Sequence, residues 1–226
     1  MKTQIFQQRI RAAQKSQGKS NNTIYRKCLE IIQTHKNNFG GKLLDYGAGQ
    51  GKLTKEIASL GQFEEIWAVD IIKKHNNTKQ PINWRFCDLN EKLDLPSKHF
   101  DFIVAIEVIE HLENPWLTAR EWFRLLKENG VLIFSTPNNE SFRSLLSLLF
   151  RGNFASFSNN NFPAHLNAFL KIDLERTLKL AGFTKIEFYY SNEGRVPKLN
   201  LTWQQISLDL LGGKQFSDNI FVVAKK

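Results

Sequence analysis

Three sets of residues in this chain have side chains, or a lack of them, that can do chemistry. The first is bare main chain: in Leu43-Leu44-Asp45-Tyr46-Gly47-Ala48-Gly49-Gln50-Gly51 an apolar run ends in an acid, and glycines follow at every second position. Glycine permits backbone angles and close approaches that a Cβ forbids, so this predicts a tight strand-to-helix turn with a ligand lying against peptide. The second set is acids that close apolar segments: Asp45, then Asp70 after Ile66-Trp67-Ala68-Val69, then Asp88 after Trp84-Arg85-Phe86-Cys87. A carboxylate so placed can accept from both hydroxyls of a sugar, or from the amino group of a flat heterocycle. The third is Glu107-Val108-Ile109-Glu110-His111-Leu112, with His165 further along. An imidazole there can take a proton near neutral pH, and with carboxylates beside it can hold a cation.

The elements around these residues must bring them together. Lys42–Tyr46, Glu64–Asp70, Asn83–Asp88, Phe100–Ile109 and Val131–Thr136 read as five strands. Lys52–Leu60 reads as a helix stopped by Gly61, and Trp116–Lys127 as one that starts at Asn114-Pro115 and ends by Gly130. Lys171–Leu180 is a further helix, followed by strands at Phe183–Tyr190 and Asn219–Ala224. Strands alternating with helices predict an α/β fold, a mostly parallel sheet with helices on both faces. In such a sheet the ligand lies beyond the carboxyl ends of the strands, at the switch point beside the first. Asp45, Gly47, Asp70, Asp88 and Glu107 all fall at those ends.

Composition narrows the function classes. With 226 residues and 42% hydrophobic content the chain can bury one substantial core. Cys28 and Cys87 are far apart and lack metal-type spacing, so neither a disulfide framework nor a zinc site is indicated. The N-terminus is polar and basic without an apolar signal core, and no apolar run is long enough to span a bilayer. A reduced, cytoplasmic protein is expected. The net charge of +9 is unevenly placed: residues 1–42 hold nine bases against Glu30 alone, while the remainder holds 22 bases and 21 acids. Residues 1–39 therefore read as a basic helical arm, broken near Gly18–Asn22, with Asn22 or Thr23 capping a helix to about His35. The segment Asn37-Asn38-Phe39-Gly40-Gly41 ends it. The arm is either a solvated flanking helix or a contact for nucleic acid or an anionic membrane.

The glycine spacing selects the ligand. A dinucleotide fingerprint needs glycine where Lys52 stands. Asp-x-Gly-x-Gly-x-Gly, with acids ending the second and third strands, instead resembles the class I S-adenosylmethionine-dependent methyltransferases over residues 40 to about 137 and 165–226. That resemblance implies a Rossmann-like seven-stranded sheet whose last strand is antiparallel, and S-adenosylmethionine as methyl donor. It assigns cofactor contacts to Asp45, Gly47, Ala48, Gly49, Gly51, Asp70, Asp88 and Glu107. Asp70 would take the ribose hydroxyls and Asp88 the adenine amino group, with Ile71 and Leu89 sandwiching the ring.

If the chain turns helical after Ile106, then Glu107, Glu110 and His111 share one face by i, i+3, i+4 spacing. Together with His165 they resemble the metal-binding set of small-RNA 3′-terminal 2′-O-methyltransferases. The aromatic-Glu-Trp-Thr-Arg run of those enzymes is absent, since Asn167-Ala168-Phe169-Leu170-Lys171 stands in its place. The same Glu-x-x-Glu-His segment occurs without metal in methyltransferases resembling the ubiquinone-biosynthesis O-methyltransferases. That resemblance puts Glu107 near the cofactor and His111 near the reacting atoms; the metal-free expectation is that His111 acts as general base with Glu110 orienting its ring. A purely structural His111, capping a turn under the site, is the remaining alternative.

Residues 138–164 lie between the fifth strand and the penultimate helix, where the family that the chain resembles carries its acceptor-specific insertions. Phe142, Leu145, Leu146, Leu149 and Phe150 follow helical spacing beside Arg143 and Arg151, with Phe154, Phe157 and Phe162 after. The stripe predicts a lid packed over the site; the alternative is a membrane-surface helix that delivers a lipid-linked acceptor at the inner membrane surface. A short amphipathic helix is expected at about Leu201–Leu211. The function expected is methyl transfer to a small, lipid-linked or glycan-linked acceptor, at oxygen, with RNA as the alternative acceptor.

Overall fold

The computed structural model describes residues 2–15, 20–35, 40–72 and 81–226. Much of the expected break near Gly18, and Asn37 to Phe39 of the expected helix stop, lie outside them. Seven strands form one sheet: β1 (Lys42–Tyr46), β2 (Glu65–Asp70), β3 (Asn83–Phe86), β4 (Phe100–Ile106), β5 (Leu126–Pro137), β6 (Thr184–Tyr190) and β7 (Asn219–Lys225). Their order is β3-β2-β1-β4-β5-β7-β6. Pairs among β1 to β5 are parallel, while β7 runs antiparallel to both β5 and β6. The last strand is thus the reversed one. From β1 the chain winds outward to β2 and β3, then returns to add β4 on the other side of β1. A crevice opens where the order reverses.

Successive residues of a strand face opposite sides, and both sides are apolar here. Leu44, Tyr46, Ile103, Leu132 and Phe134 pack against Trp122 of α4 (Pro115–Leu125) and Leu174 and Leu178 of α6 (Lys171–Ala181). Leu43, Phe102, Val104 and Ile133 pack on the opposite side, against Ile31 and Ile32 of α2 (Asn22–Thr34) and Ile57 of α3 (Lys52–Ser59). Trp122 is fully buried, edge-on to Tyr46 at 5.8 Å and tilted on Phe134 at 5.2 Å. Helices on both faces therefore fix β1 and β4 rigidly, and the site hangs from their carboxyl ends.

Several boundaries differ from the sequence reading. The cap of α2 is Asn21, whose side chain accepts from the Thr23 N–H, rather than Asn22 or Thr23. Helix α4 ends at Leu125 instead of running to Lys127, because Leu126 is fully buried and pairs with Phe100 of β4. A tertiary strand contact overrides local helix preference there. Strand β4 ends at Ile106, since Glu107 adopts φ +55°. The helix expected over 201–211 is only α7 (Trp203–Ser207), stopped by Leu208 in the left-handed region.

The largest departure is α5 (Phe142–Arg151). It forms where its apolar spacing predicts, capped by Ser141, but it does not cover the site. None of its residues lines the main cavity, and only Ser144 is buried. Leu149 and Phe150 are 73% and 77% exposed. Phe142 against Phe216 and Arg143 with Asp218 attach the helix by its other side. The lid expectation is wrong for α5. Among the described residues no helix is long and apolar enough to cross a membrane.

Candidate active site

A cavity of about 1030 Å³ opens at the carboxyl edge of the sheet, beside β1. Its floor is the glycine turn. Gly47 and Ala48 donate N–H bonds to the Val69 carbonyl, and Gly49 donates to Asp70 Oδ2 at 2.7 Å. Gly47 has φ +86°, and a Cβ on it would overlap Cγ2 of Val108. The turn is therefore pressed against the segment after β4 at a distance only glycine allows. Gly47, Ala48 and Gly49 line the cavity. Gly51 does not; it is the left-handed N-cap of α3, φ 71°. Its glycine serves the helix start, which corrects the expectation that it touches ligand.

The acids behave differently from one another. Asp70 accepts from Gly49 N–H with one oxygen and from Ile72 N–H with the other, each at 2.7 Å. Each oxygen keeps a lone pair for a further donor, as bidentate capture of two hydroxyls needs. Burial pushes the Asp70 carboxyl up, and its backbone bonds oppose that shift. Asp45 is more buried and accepts from the Thr54 hydroxyl at 2.6 Å; burial raises it to about 7. Asp88 accepts from Asn90 N–H through Oδ1, and Oδ2 takes an N–H of Arg9 at 2.8 Å. Ile71 and Leu89 both line the cavity, joined by Ile72, which the sequence reading omitted.

After β4 the chain forms a 3-10 turn, Ile109–His111, instead of the expected α-helical face. Glu107 consequently points to Ser135 and Asn219, which donate to Oε1 at 2.8 Å and Oε2 at 3.0 Å. Glu110 is fully buried and accepts from Thr136 at 3.1 Å. Burial raises both glutamates to about 8. His111 Nδ1 lies 2.7 Å from the carbonyl of Ala164. A carbonyl can only accept, so Nδ1 carries the proton and Nε2 is left with a bare lone pair. Ala164, rather than Glu110, thus orients the ring. Burial lowers the His111 pKa, with the Ala164 bond opposing, so the ring is neutral at pH 7. His165 stands edge-on at 4.8 Å between ring centres, lowered to about 4 by burial and by His111. Ligand atoms of Glu110, His111 and His165 all lie within 4.8 Å of one another, and Glu107 is not in that group. Glu110 Oε1 and His165 Nδ1 are buried without a hydrogen-bond partner.

Comparison with known proteins agrees with this geometry. A family model described as a methyltransferase domain matches residues 17–187. The chain is 30% identical over 207 residues to the mitochondrial ubiquinone biosynthesis O-methyltransferase of Schizosaccharomyces pombe, covering 87% of this chain and 73% of that protein. This is a class I S-adenosylmethionine-dependent methyltransferase. Rattus norvegicus has a relative of the same description, 31% identical over 122 residues, of which the match spans only 35%. Among solved structures, a SAM-dependent methyltransferase from Archaeoglobus fulgidus superposes with TM-score 0.60 at 18% identity, over 89% of this chain and 94% of that one. The methyltransferase's donor is S-adenosylmethionine, and the turn fits such a ligand: Gly47 leaves peptide uncovered, and Asp70 presents two oxygens with capacity to spare.

Sequence reasoning missed one wall of the methyltransferase cavity. Gln8, Arg9, Ala12 and Ala13 of α1 (Lys2–Lys15) line it, as do Ile24 and Tyr25 of α2. Helical spacing revealed these helices, but nothing local pointed Arg9 at an acid 79 residues away.

Gly47→Ala is expected to weaken S-adenosylhomocysteine binding by about tenfold or more, from the overlap with Val108 and the left-handed backbone. Calorimetry measures it. Adding Val108→Ala should recover only part of the loss, because it relieves the overlap and not the backbone.

Proposed function

We propose that this methyltransferase methylates an oxygen of a small, lipid-linked or glycan-linked acceptor, with His111 as general base. One observation carries the assignment: His111 is neutral, its Nδ1 is committed to Ala164, and its Nε2 is free on the cavity wall that also holds Gly47. Bound S-adenosylmethionine supplies a methyl group already activated on a sulfonium, so the protein's task is positioning and proton removal. His111 Nε2 takes the acceptor hydroxyl's proton as that oxygen attacks. Glu107, Asp70 and the Gly47 turn hold the donor side, while Ala164 and His165 shape the acceptor side. The relatives' descriptions as ubiquinone biosynthesis O-methyltransferases support oxygen and a lipid-linked acceptor.

The outward face of α5 supports the lipid-linked class as well. Exposed Leu145, Leu149 and Phe150 lie beside exposed Arg151, and exposed Phe162 belongs to the loop that reaches the cavity. Apolar insertion with arginines at the headgroups is the physics of docking on an anionic surface. That surface would put a lipid-linked acceptor beside the cavity.

A second reading of the same centre is a divalent cation among Glu110, His111 and His165. The unpartnered Glu110 Oε1 and His165 Nδ1 favour it, since buried polar atoms without partners are costly. Ligands about 2.1 Å from a metal sit roughly 3.4 Å apart, so the three groups would have to draw inward.

Kinetics, metal binding and vesicle flotation check these readings. His111→Ala should lower kcat by ~10²-fold or more with cofactor affinity retained, and wild-type kcat/KM should rise with pH to a plateau by pH 7. The sign follows because protonated His111 cannot accept, and burial puts its pKa below the ordinary 6.5. Chelator should leave activity intact under the metal-free reading; calorimetric Mn²⁺ binding that His165→Ala abolishes would select the cation instead. Flotation with anionic vesicles should carry the protein upward, and Leu149→Glu/Phe150→Glu should keep it at the bottom.

A further inference from the structure

Helix α1 lies outside the stretch that the methyltransferase family matches, residues 17–187, yet it forms a wall of the cofactor cavity. Gln8, Ala12 and Lys15 follow one face of the helix, with Arg9 and Ala13 beside them, and all five line the cavity. The Arg9 guanidinium, 16% exposed, bonds three carboxylates from two segments, Asp88 and Glu91 in one and Glu113 in the other. Its NH1 donates to Asp88 at 2.8 Å and to Glu91 at 3.0 Å; Nε and NH2 donate to Glu113 at 2.9 and 2.6 Å. Asp88 is the acid at the adenine end. Glu113 follows two residues after His111. One guanidinium thus ties the end of the third strand to the segment carrying the base. At the helix's far end Lys15 donates to the carbonyl of Phe162, in the loop that precedes His165.

The attachment is polar at Arg9 and Lys15. No described side chain of α1 belongs to either buried core, and its ring contact is Phe6 edge-on to Phe86, itself half exposed. An element held by charge and by few buried apolar contacts opens at lower cost than the body unfolds. Two small alanines face the cavity where bulk would fill it.

We propose that α1 is a clasp over the cofactor site, and that Arg9 is the positioning residue that closes it and holds Asp88. The clasp rests on the cofactor assignment. The donor enters with α1 swung aside, and α1 then closes along the adenine end and against the acceptor loop. Closure retains the donor and its product, so release requires Arg9 to leave its three acids. The basicity of the arm acts on this chain's own acidic rim.

Stopped-flow release of S-adenosylhomocysteine tests this. Arg9→Ala should release it about tenfold faster, or ~1.4 kcal/mol, with the thermal midpoint nearly unchanged because α1 is outside the core. Arg9→Lys should fall between, keeping charge without the bidentate grip on Glu113. Raising salt from ~0.05 to ~0.5 M should speed release from wild type and change Arg9→Ala little. Equal release rates for wild type and Arg9→Ala would overturn the clasp, as would tighter binding by Arg9→Ala, which would make Arg9 a competitor for Asp88. Absence of any binding by wild type would overturn the cofactor assignment, and the clasp with it.

Discussion

The contact between Gly47 and Val108 joins the two chemical halves of the site. The turn after β1 carries the bare peptide, and the segment after β4 carries Glu107, Glu110 and His111. Because Val108 packs where a Cβ would otherwise stand, these two turns approach as closely as backbone allows. That approach sets how far the bare peptide stands from the segment carrying His111. His111 is held from the other side by the Ala164 carbonyl. The fold supports the contact from beneath: β1 and β4 are adjacent parallel strands clamped between two apolar layers, so neither turn can drift independently.

Burial gives the site its electrostatic character. Asp45, Glu107 and Glu110 are all raised toward neutrality by desolvation, while the same burial keeps His111 and His165 uncharged. A positive ligand group arriving against Glu107 would restore its carboxylate, because an opposite charge favours the ionised form. His111 differs from the acids in that one ring nitrogen is committed to the Ala164 carbonyl, which fixes its tautomer.

The sequence made the frame legible where local pattern and tertiary structure agree. Apolar runs ending in Asp45 and Asp70 are strands because both sheet faces are covered, and glycine at 47 is demanded by the turn itself. It was less informative where a distant partner decides the outcome. Leu126 leaves the helix for a strand because Phe100 is there to pair with it. Glu107 leaves the helical path through a positive φ, which redirects its carboxylate to Ser135 and Asn219 and dissolves the expected i, i+3, i+4 face. The ring-orienting role passed from Glu110 to Ala164 for the same reason. A backbone carbonyl 53 residues away leaves no mark in side-chain pattern. Gly51 shows the converse, a conspicuous glycine whose requirement is the helix start.

Segment charge and segment amphipathicity mislead in related ways. The excess of bases in residues 1–42 suggests an external anion, yet Arg9 finds three acids within its own chain, spread over residues 88–113. The apolar stripe of 142–150 suggests an internal partner, yet its face points outward. In both cases the pattern correctly reports that a surface wants covering and is silent about what covers it. The sheet's topology supplies that answer for α1, because the strand-three tip and the turn after β4 meet at one rim. For α5 the topology supplies none, and Leu149 and Phe150 stay exposed among the described residues.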